Sequence, residues 1–477
     1  MHEVSTAFSD HENDNEIGGM AFLSKPYAML IGVFLTCMVA LSFDIGIVHT
    51  VTMAARWPLL GMMAAVGLFY AMSSGIGRPH LSTIMLALLI VIAGASAAWS
   101  SDPEYSIQRS GSLVFLHLAT LIGIVSYCQR ADNMRAVFDV VFWIGAALAI
   151  GGFLFRMGAE AAPGGRYVGL HNRATGAGSY AALLLPIAIY QVRYRFKGML
   201  TAIGWITVLA LVGQLILSGA RMAAGTSLLV GLALWFDFYG RKALAALVIV
   251  SFLAPIPFLL DNKKAEKMEE SSKKLLRTES FSTFTGRLDR WKFGLEKWAE
   301  KPLYGYGFGV SRTLAGRDEP WRFNIEPGEV FNLHSDQIEV LMDLGLIGYV
   351  PFALFWILLG ITGLKLIARP RDEARQRGMA VLGATAYAFG DTFMHGGFLA
   401  AGGGVSSFSW SMIGMFISLA AVPLYSNQTT LRRQERAKDG DLSKVVLVPQ
   451  PIRRAATDRA SLPSVRKVMA HQGSSHE

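Results

Sequence analysis

The chain has 477 residues, is 52% hydrophobic and only 17% charged, and carries a formal net charge of +9. Soluble domains average about 25% charged residues, so this composition excludes an ordinary soluble enzyme. Repeated apolar runs near the roughly 20 residues needed to cross a hydrocarbon core of about 30 Å indicate an all-α polytopic membrane protein.

Residues 1–26 are polar and acidic, and no cleavage-type site follows them. They read as a cytoplasmic disordered arm, not a secretory signal. Nine spans are predicted within 27–260: Tyr27–Ile47, Trp57–Ser74, Leu81–Trp99, Leu113–Tyr127, Val137–Phe155, Ala177–Val192, Met199–Leu217, Ala223–Phe238 and Ala243–Leu260. A long polar segment, 261–337, interrupts the apolar pattern. Three more spans follow within 338–425: Ile338–Ile367, Met379–Phe398 and Val405–Leu424. Ile338–Ile367 is long for one crossing, which predicts tilt or a start outside the bilayer. Residues 426–477 form a basic tail without an apolar face, predicted to be cytoplasmic and disordered. The expected fold is therefore about twelve transmembrane helices with one large outward loop before the last three.

Charge bias orients the spans. Every second loop is basic, as at Arg130 and Arg135, at Arg193, Arg195 and Lys197, and at Arg369, Arg371, Arg375 and Arg377. Both termini then lie in the cytoplasm and 261–337 faces outward, into the periplasm of a Gram-negative host. This topology accounts for the positive charge without nucleic acid. Cys37 and Cys128 both fall in apolar runs, so neither a disulfide framework nor a cysteine zinc site is supported.

Within the outward loop, Asp261–Ser280 reads as a charged, solvated lead-in. Gly286-Arg287 then opens an amphipathic helix in which Leu288, Trp291, Leu295 and Trp298 share one face. A Pro-aromatic-Gly turn runs from Lys301-Pro302 to Gly309, and His334 precedes the next apolar run. Ionisable residues near membrane depth are candidate functional groups. Arg221, at a tight turn beside Ser218, Gly219 and Ala220, can hold a phosphate by a bidentate fork or anchor a helix end. Arg287 and the neighbouring Arg290 fit either an anion site or a solvated face. His334 titrates near neutrality and suits proton acceptance or a plain polar contact. The outward hairpin Gly164–Gly178 carries Arg166, His171, Asn172 and Arg173 among glycines, a ligand-approachable turn or an ordinary cap. Asp391 and His395, four residues apart, form either a proton relay or a structural pair. No P-loop, HExxH or GxSxG arrangement is present, and no metal site is expected.

Together these residues resemble the O-antigen ligase and polymerase superfamily, which includes exopolysaccharide polymerases. The resemblance rests on Gly286-Arg287, Trp291, Lys301-Pro302-Leu303-Tyr304-Gly305-Tyr306-Gly307, and His334 ahead of Gly345-Leu346-Ile347-Gly348. Ser218-Gly219-Ala220-Arg221 and Gly169-Leu170-His171-Asn172 match two further family motifs. Ser335 stands where the family commonly has Asn, and Asp343 where Glu is common. The resemblance implies a metal-independent, cofactor-free glycosyltransferase of the bacterial inner membrane. Its donor would be a glycan on undecaprenyl pyrophosphate, and its acceptor a lipid A core (ligase) or another lipid-linked glycan (polymerase). It assigns Arg221 and Arg287 to the pyrophosphate and His334 to activating the acceptor hydroxyl. Arg166, His171, Asn172, Arg173, Arg290 and Ser335 are the expected substrate-binding residues.

A secondary transporter or flippase is the competing class, suggested by about twelve spans and the Asp391–His395 pair. Transporters place ionisable and helix-breaking residues at the midplane of both halves. Here Arg and His gather on the outward side around one loop, which favours an enzyme.

Overall fold

The computed structural model describes residues 21–43, 46–74, 79–156, 167–220, 222–228, 230–231, 282–326, 331–369, 373–400 and 403–420. Among them the chain is helical, and its one strand-like feature is an isolated antiparallel bridge between Phe43 and His171. Most of the arm, the basic tail, half of Ala223–Phe238, all of Ala243–Leu260 and the lead-in Asp261–Ser280 lie outside the described residues.

The first helices are α1 (Pro26–Ala40), α2 (Gly46–Ser74), α3 (Leu81–Ala95) and α4 (Pro103–Tyr127), which has a π-helical turn over Leu118–Ile124. Then come α5 (Ala131–Arg156), α6 (Ala174–Tyr194) and α7 (Met199–Ser218). Past the undescribed region lie α8 (Ser282–Glu300), α9 (Ser311–Asp318), α10 (Pro320–Phe323), α11 (Asp336–Ile367), α12 (Glu373–Met394) and α13 (Gly404–Ala420). Seven described helices are long and apolar enough to cross a membrane: α2 to α7 and α11. Helices α1 and α13 are apolar but shorter.

Some boundaries differ from expectation for local reasons. Helix α4 starts ten residues before the predicted Leu113, because Asp102 caps it by accepting from the Tyr105 amide (3.2 Å) and Pro103 takes the first turn. A hydropathy window does not register a polar first turn. Helix α2 begins at Gly46, inside a stretch assigned to the first span, which ends at Ala40.

The length of α11 has a definite cause. Gly345 breaks it, with φ 59° and ψ −159°. The amides freed there are taken by the Pro302 carbonyl (to Leu346, 2.9 Å) and the Leu303 carbonyl (to Ile347, 3.1 Å). The rest of the Pro-aromatic-Gly turn docks on the same break. The Tyr306 and Gly307 amides donate to the carbonyls of Met342 (3.1 Å) and Asp343 (2.8 Å). The buried Asp343 carboxylate accepts from the amides of Gly309 and Ser311, both at 2.7 Å. On its other side the turn meets the α3–α4 connection. Trp99 Nε1 donates to the Tyr304 carbonyl (2.9 Å), and the Phe308 amide donates to Ser96 Oγ (2.9 Å). The motif is thus a joint that fixes the 301–311 segment to α11 and to the α3–α4 connection.

Gly307 sits at the tightest point of that joint, at φ 109°. A Cβ there would collide with the Ser100 side chain and stand 2.7 Å from the Ser100 Cα. The left-handed backbone alone would cost a side chain ~1–3 kcal/mol. Gly307→Ala is therefore expected to melt well below the parent in detergent and to accumulate poorly in membranes. A parent-like melting curve would show that the joint is not under this constraint.

Helix α8 turns a different face inward from the one its sequence suggests. Leu288 and Leu295 are exposed, at 49% and 43%, while Phe293 is fully buried. Phe293 packs edge-on against Phe323 (5.4 Å) and Phe331 (5.8 Å) in a small core with Val310, Leu314 and Leu333. Trp291 and Trp298 use their indole N–H groups on the carbonyls of Leu333 (3.0 Å) and Pro302 (3.1 Å). Hydropathy alone does not say which of two faces that both carry apolar residues meets the core.

Candidate active site

The site is built on the short segment between the cap and α11. Arg290 donates to the Asn332 carbonyl (2.7 Å) and lies over the Phe331 ring (4.9 Å), and Trp291 holds the Leu333 carbonyl. The Asn332 side chain accepts from the His334 amide (2.6 Å). This closes a tight turn with His334 at φ 56°, a conformation uncommon outside glycine. Two residues later Asp336 begins α11 and anchors a second loop. Its Oδ1 and Oδ2 accept from the amides of Gly397 (2.8 Å) and Phe398 (3.1 Å). Gln337 donates to Thr392 Oγ1 (2.8 Å) on α12. The polar start of α11 therefore ties the end of α12 to the His334 turn.

Four cationic or ionisable groups surround His334. Burial, followed by Arg290, Arg287, His395 and Arg173, lowers its pKa from 6.5 to about 4. The ring is neutral at pH 7 and holds a free lone pair. The unfolded chain takes this proton near pH 6.5 and the folded chain near 4, so stability falls as pH drops through that window. A titration of the His334 ring resonance should therefore show a midpoint near pH 4. Added inorganic pyrophosphate should move it upward, because a bound anion offsets the guanidinium charges. A midpoint near 6.5 would show that the ring is neither buried nor faced by the arginines.

Arg287 is half-buried. Burial lowers its pKa, and the nearby Asp391 partly offsets the shift. Among the described residues its one hydrogen-bond contact is long, 4.0 Å from Nη1 to Met394 Sδ. Most of its donors are therefore uncommitted.

Beside this cluster lies a polar cavity of about 320 Å³. Its wall includes Ser42, Asn172, Arg173, Thr175 and Ser179 at the start of α6, Arg312 on α9, Asp391 on α12 and His395 just beyond. His395 Nδ1 is 2.7 Å from Asp391 Oδ1, which also accepts from the Tyr387 hydroxyl at 3.0 Å. A second, apolar groove of about 780 Å³ runs between α1, α2 and α5. Phe43 and Leu170 line the groove, while their chain neighbours Ser42 and Asn172 line the cavity. The Asn172 amide donates to the Ser42 carbonyl (2.7 Å), so the segments that line the two spaces are paired here through their backbones.

The structure thus gathers Arg173, Arg287, Arg290 and His334, and it adds Asp391 and His395. Asn172 lines the cavity. His171 does not: it is buried, bonded through Nδ1 to Ser42 Oγ (2.6 Å) and stacked on Tyr180 at 4.8 Å. Burial lowers its pKa to about 4, which fits a neutral scaffold residue. Ser335 is buried and makes no capping hydrogen bond to α11. Arg221 and Arg166 lie outside the described residues. Arg312 went unrecognised in the sequence. It pairs with Glu339 (3.6 Å), a contact made only when α9 meets α11, and no spacing rule signals it.

No curated protein matches the chain. Residues 206–353 match the family described as O-antigen ligase. That segment contains Arg287, Arg290 and His334, whereas Arg173, Asp391 and His395 come from outside it. Through residues 206–353, a segment that includes Arg287, Arg290 and His334, the chain is similar to the O-antigen ligase family.

Proposed function

We propose that this protein transfers a glycan from a lipid diphosphate to an acceptor hydroxyl at the outer face of the bacterial inner membrane. The observation that carries the reading is the cluster of Arg173, Arg287 and Arg290 around a neutral His334 beside a polar cavity. Breaking a sugar–diphosphate bond builds negative charge on the leaving group. Fixed guanidinium donors in a poorly hydrated site stabilise that charge without reorganising. Here they do the work that a divalent cation does in other phosphoryl-leaving reactions. His334 hydrogen-bonds the reacting groups, and the resemblance assigns Arg221, which lies outside the described residues, to the same diphosphate. The apolar groove beyond the Phe43–His171 bridge suits a prenyl chain such as undecaprenyl, with the diphosphate at the bridge and the sugar in the cavity.

The topology belongs to the same reading, with about twelve crossings, both termini in the cytoplasm and the cap in the periplasm. The acceptor is a lipid A core if the protein is a ligase, and another lipid-linked repeat if it is a polymerase. Deletion followed by gels of lipopolysaccharide and secreted polysaccharide distinguishes them. Long chains missing from the lipid core, with lipid-linked polymer accumulating, identify a ligase. Single repeats on the core, or lost exopolysaccharide, identify a polymerase. Unchanged glycans in both pools would end the glycosyltransfer reading.

A further inference from the structure

Two imidazoles stand at this site, and they differ in surroundings. His334 is ringed by Arg287, Arg290 and Arg173, so a proton placed on it would sit among like charges. His395 lines the cavity wall, and His334 does not. Its Nδ1 is bonded to the Asp391 carboxylate, which itself accepts from Tyr387, whose hydroxyl also reaches Ser179 Oγ (2.7 Å). That bond fixes the ring tautomer with the proton on Nδ1 and leaves the Nε2 lone pair bare. No described residue hydrogen-bonds Nε2. A carboxylate behind an imidazole orients the ring and stabilises the imidazolium once it forms. The ring is itself held in place: it follows α12 directly, and the next residues, Gly397 and Phe398, are clamped by Asp336.

We propose that His395, held by Asp391, is a catalytic residue of this site and takes the acceptor hydroxyl's proton at Nε2, while His334 hydrogen-bonds the leaving diphosphate. The proposal rests on the glycosyltransfer reading. In the step, the acceptor O–H bond breaks and its proton passes to Nε2. The oxygen's electron pair forms the bond to the anomeric carbon. The bond from that carbon to the diphosphate oxygen breaks, and its electrons leave with the diphosphate. The imidazolium then returns its proton to water. The charged groups near the pair include Arg287 on α8, Arg173 at the start of α6, Arg312 on α9, and Asp336 and Glu339 in the first turn of α11.

The test uses right-side-out membrane vesicles from a host lacking its own copy, with the full-length chain supplied as parent or variant. The host's lipid-linked glycan serves as donor, and transfer is read on a glycan gel. His395→Ala and His395→Gln should each lose at least ~100-fold in transfer rate at unchanged membrane level and melting temperature. Imidazole added outside should restore part of the activity of His395→Ala and none of that of His334→Ala. Asp391→Asn should lower transfer, and combining it with His395→Gln should do no further harm, since the two act as one unit. Parent-like transfer by His395→Gln overturns the assignment, as does rescue by imidazole of His334→Ala alone. If vesicles bearing the parent chain move no glycan at all, the glycosyltransfer reading falls and takes this assignment with it.

Discussion

Arg287→Ala is expected to abolish complementation of a deletion strain, with transfer reduced ~10²–10³-fold, the loss typical when one donor to developing negative charge is removed. The expectation follows from how little the protein itself asks of this side chain. Arg287 is half-buried beside His334 and Asp391, yet its one hydrogen-bond contact among the described residues is the 4.0 Å approach to Met394 Sδ. A partly desolvated guanidinium with uncommitted donors costs the fold some stability and leaves those donors open to an anion. Removing it should therefore leave the melting temperature unchanged or slightly raised. Arg287→Lys keeps the charge but loses the planar fork and should recover only a small part of the activity. Arg290 provides the contrast, because it already supports the Asn332 carbonyl and covers Phe331. Arg290→Ala should lose stability and transfer together. Wild-type glycans in the Arg287→Ala strain would remove Arg287 from the site.

Asp336→Ala is expected to have the largest structural effect. Each oxygen of this buried carboxylate accepts one backbone amide, from Gly397 and Phe398. Leaving a buried donor unpaired costs about 1–3 kcal/mol, so two together cost roughly 2–6 kcal/mol. Asp336→Asn is a poor remedy, because its NH₂ would face one of the two N–H groups. It should destabilise about half as much as alanine. Because the loop released is the one carrying His395, both variants should lose transfer even where protein persists. Thermal melting in detergent together with vesicle transfer decides this. A folded, fully active Asp336→Ala would show that the loop is held by other contacts. Asp343 makes the same two-oxygen clamp one heptad later, on Gly309 and Ser311, and the argument carries over to it.

The partners of these two aspartates are not legible in the sequence. Asp336 lies just before the predicted span Ile338–Ile367 and Asp343 inside it, and both are buried, at 1% and 3% exposure. What they bind, the 397–398 and 309–311 amides, is remote in the chain. The exposed Leu288 and Leu295 are the converse case, apolar residues at helical spacing that the core does not use. His171 shared a motif with Asn172 and Arg173, but it turned inward onto Tyr180 while they line the cavity.

Helical class and repeated crossing were determined by the sequence alone, because a bilayer-length apolar run is a local property that needs no partner. So were the candidates Arg287 and His334, since charged and titratable groups beside such runs are few. Only the tertiary structure decided which of them meet. Arg173, Arg287, His334 and His395 come from four separate parts of the chain and converge because loop amides are clamped by Asp336 and Asp343 and because Gly345 breaks α11. Those contacts are long-range hydrogen bonds between groups whose local spacing carries no trace of the partner.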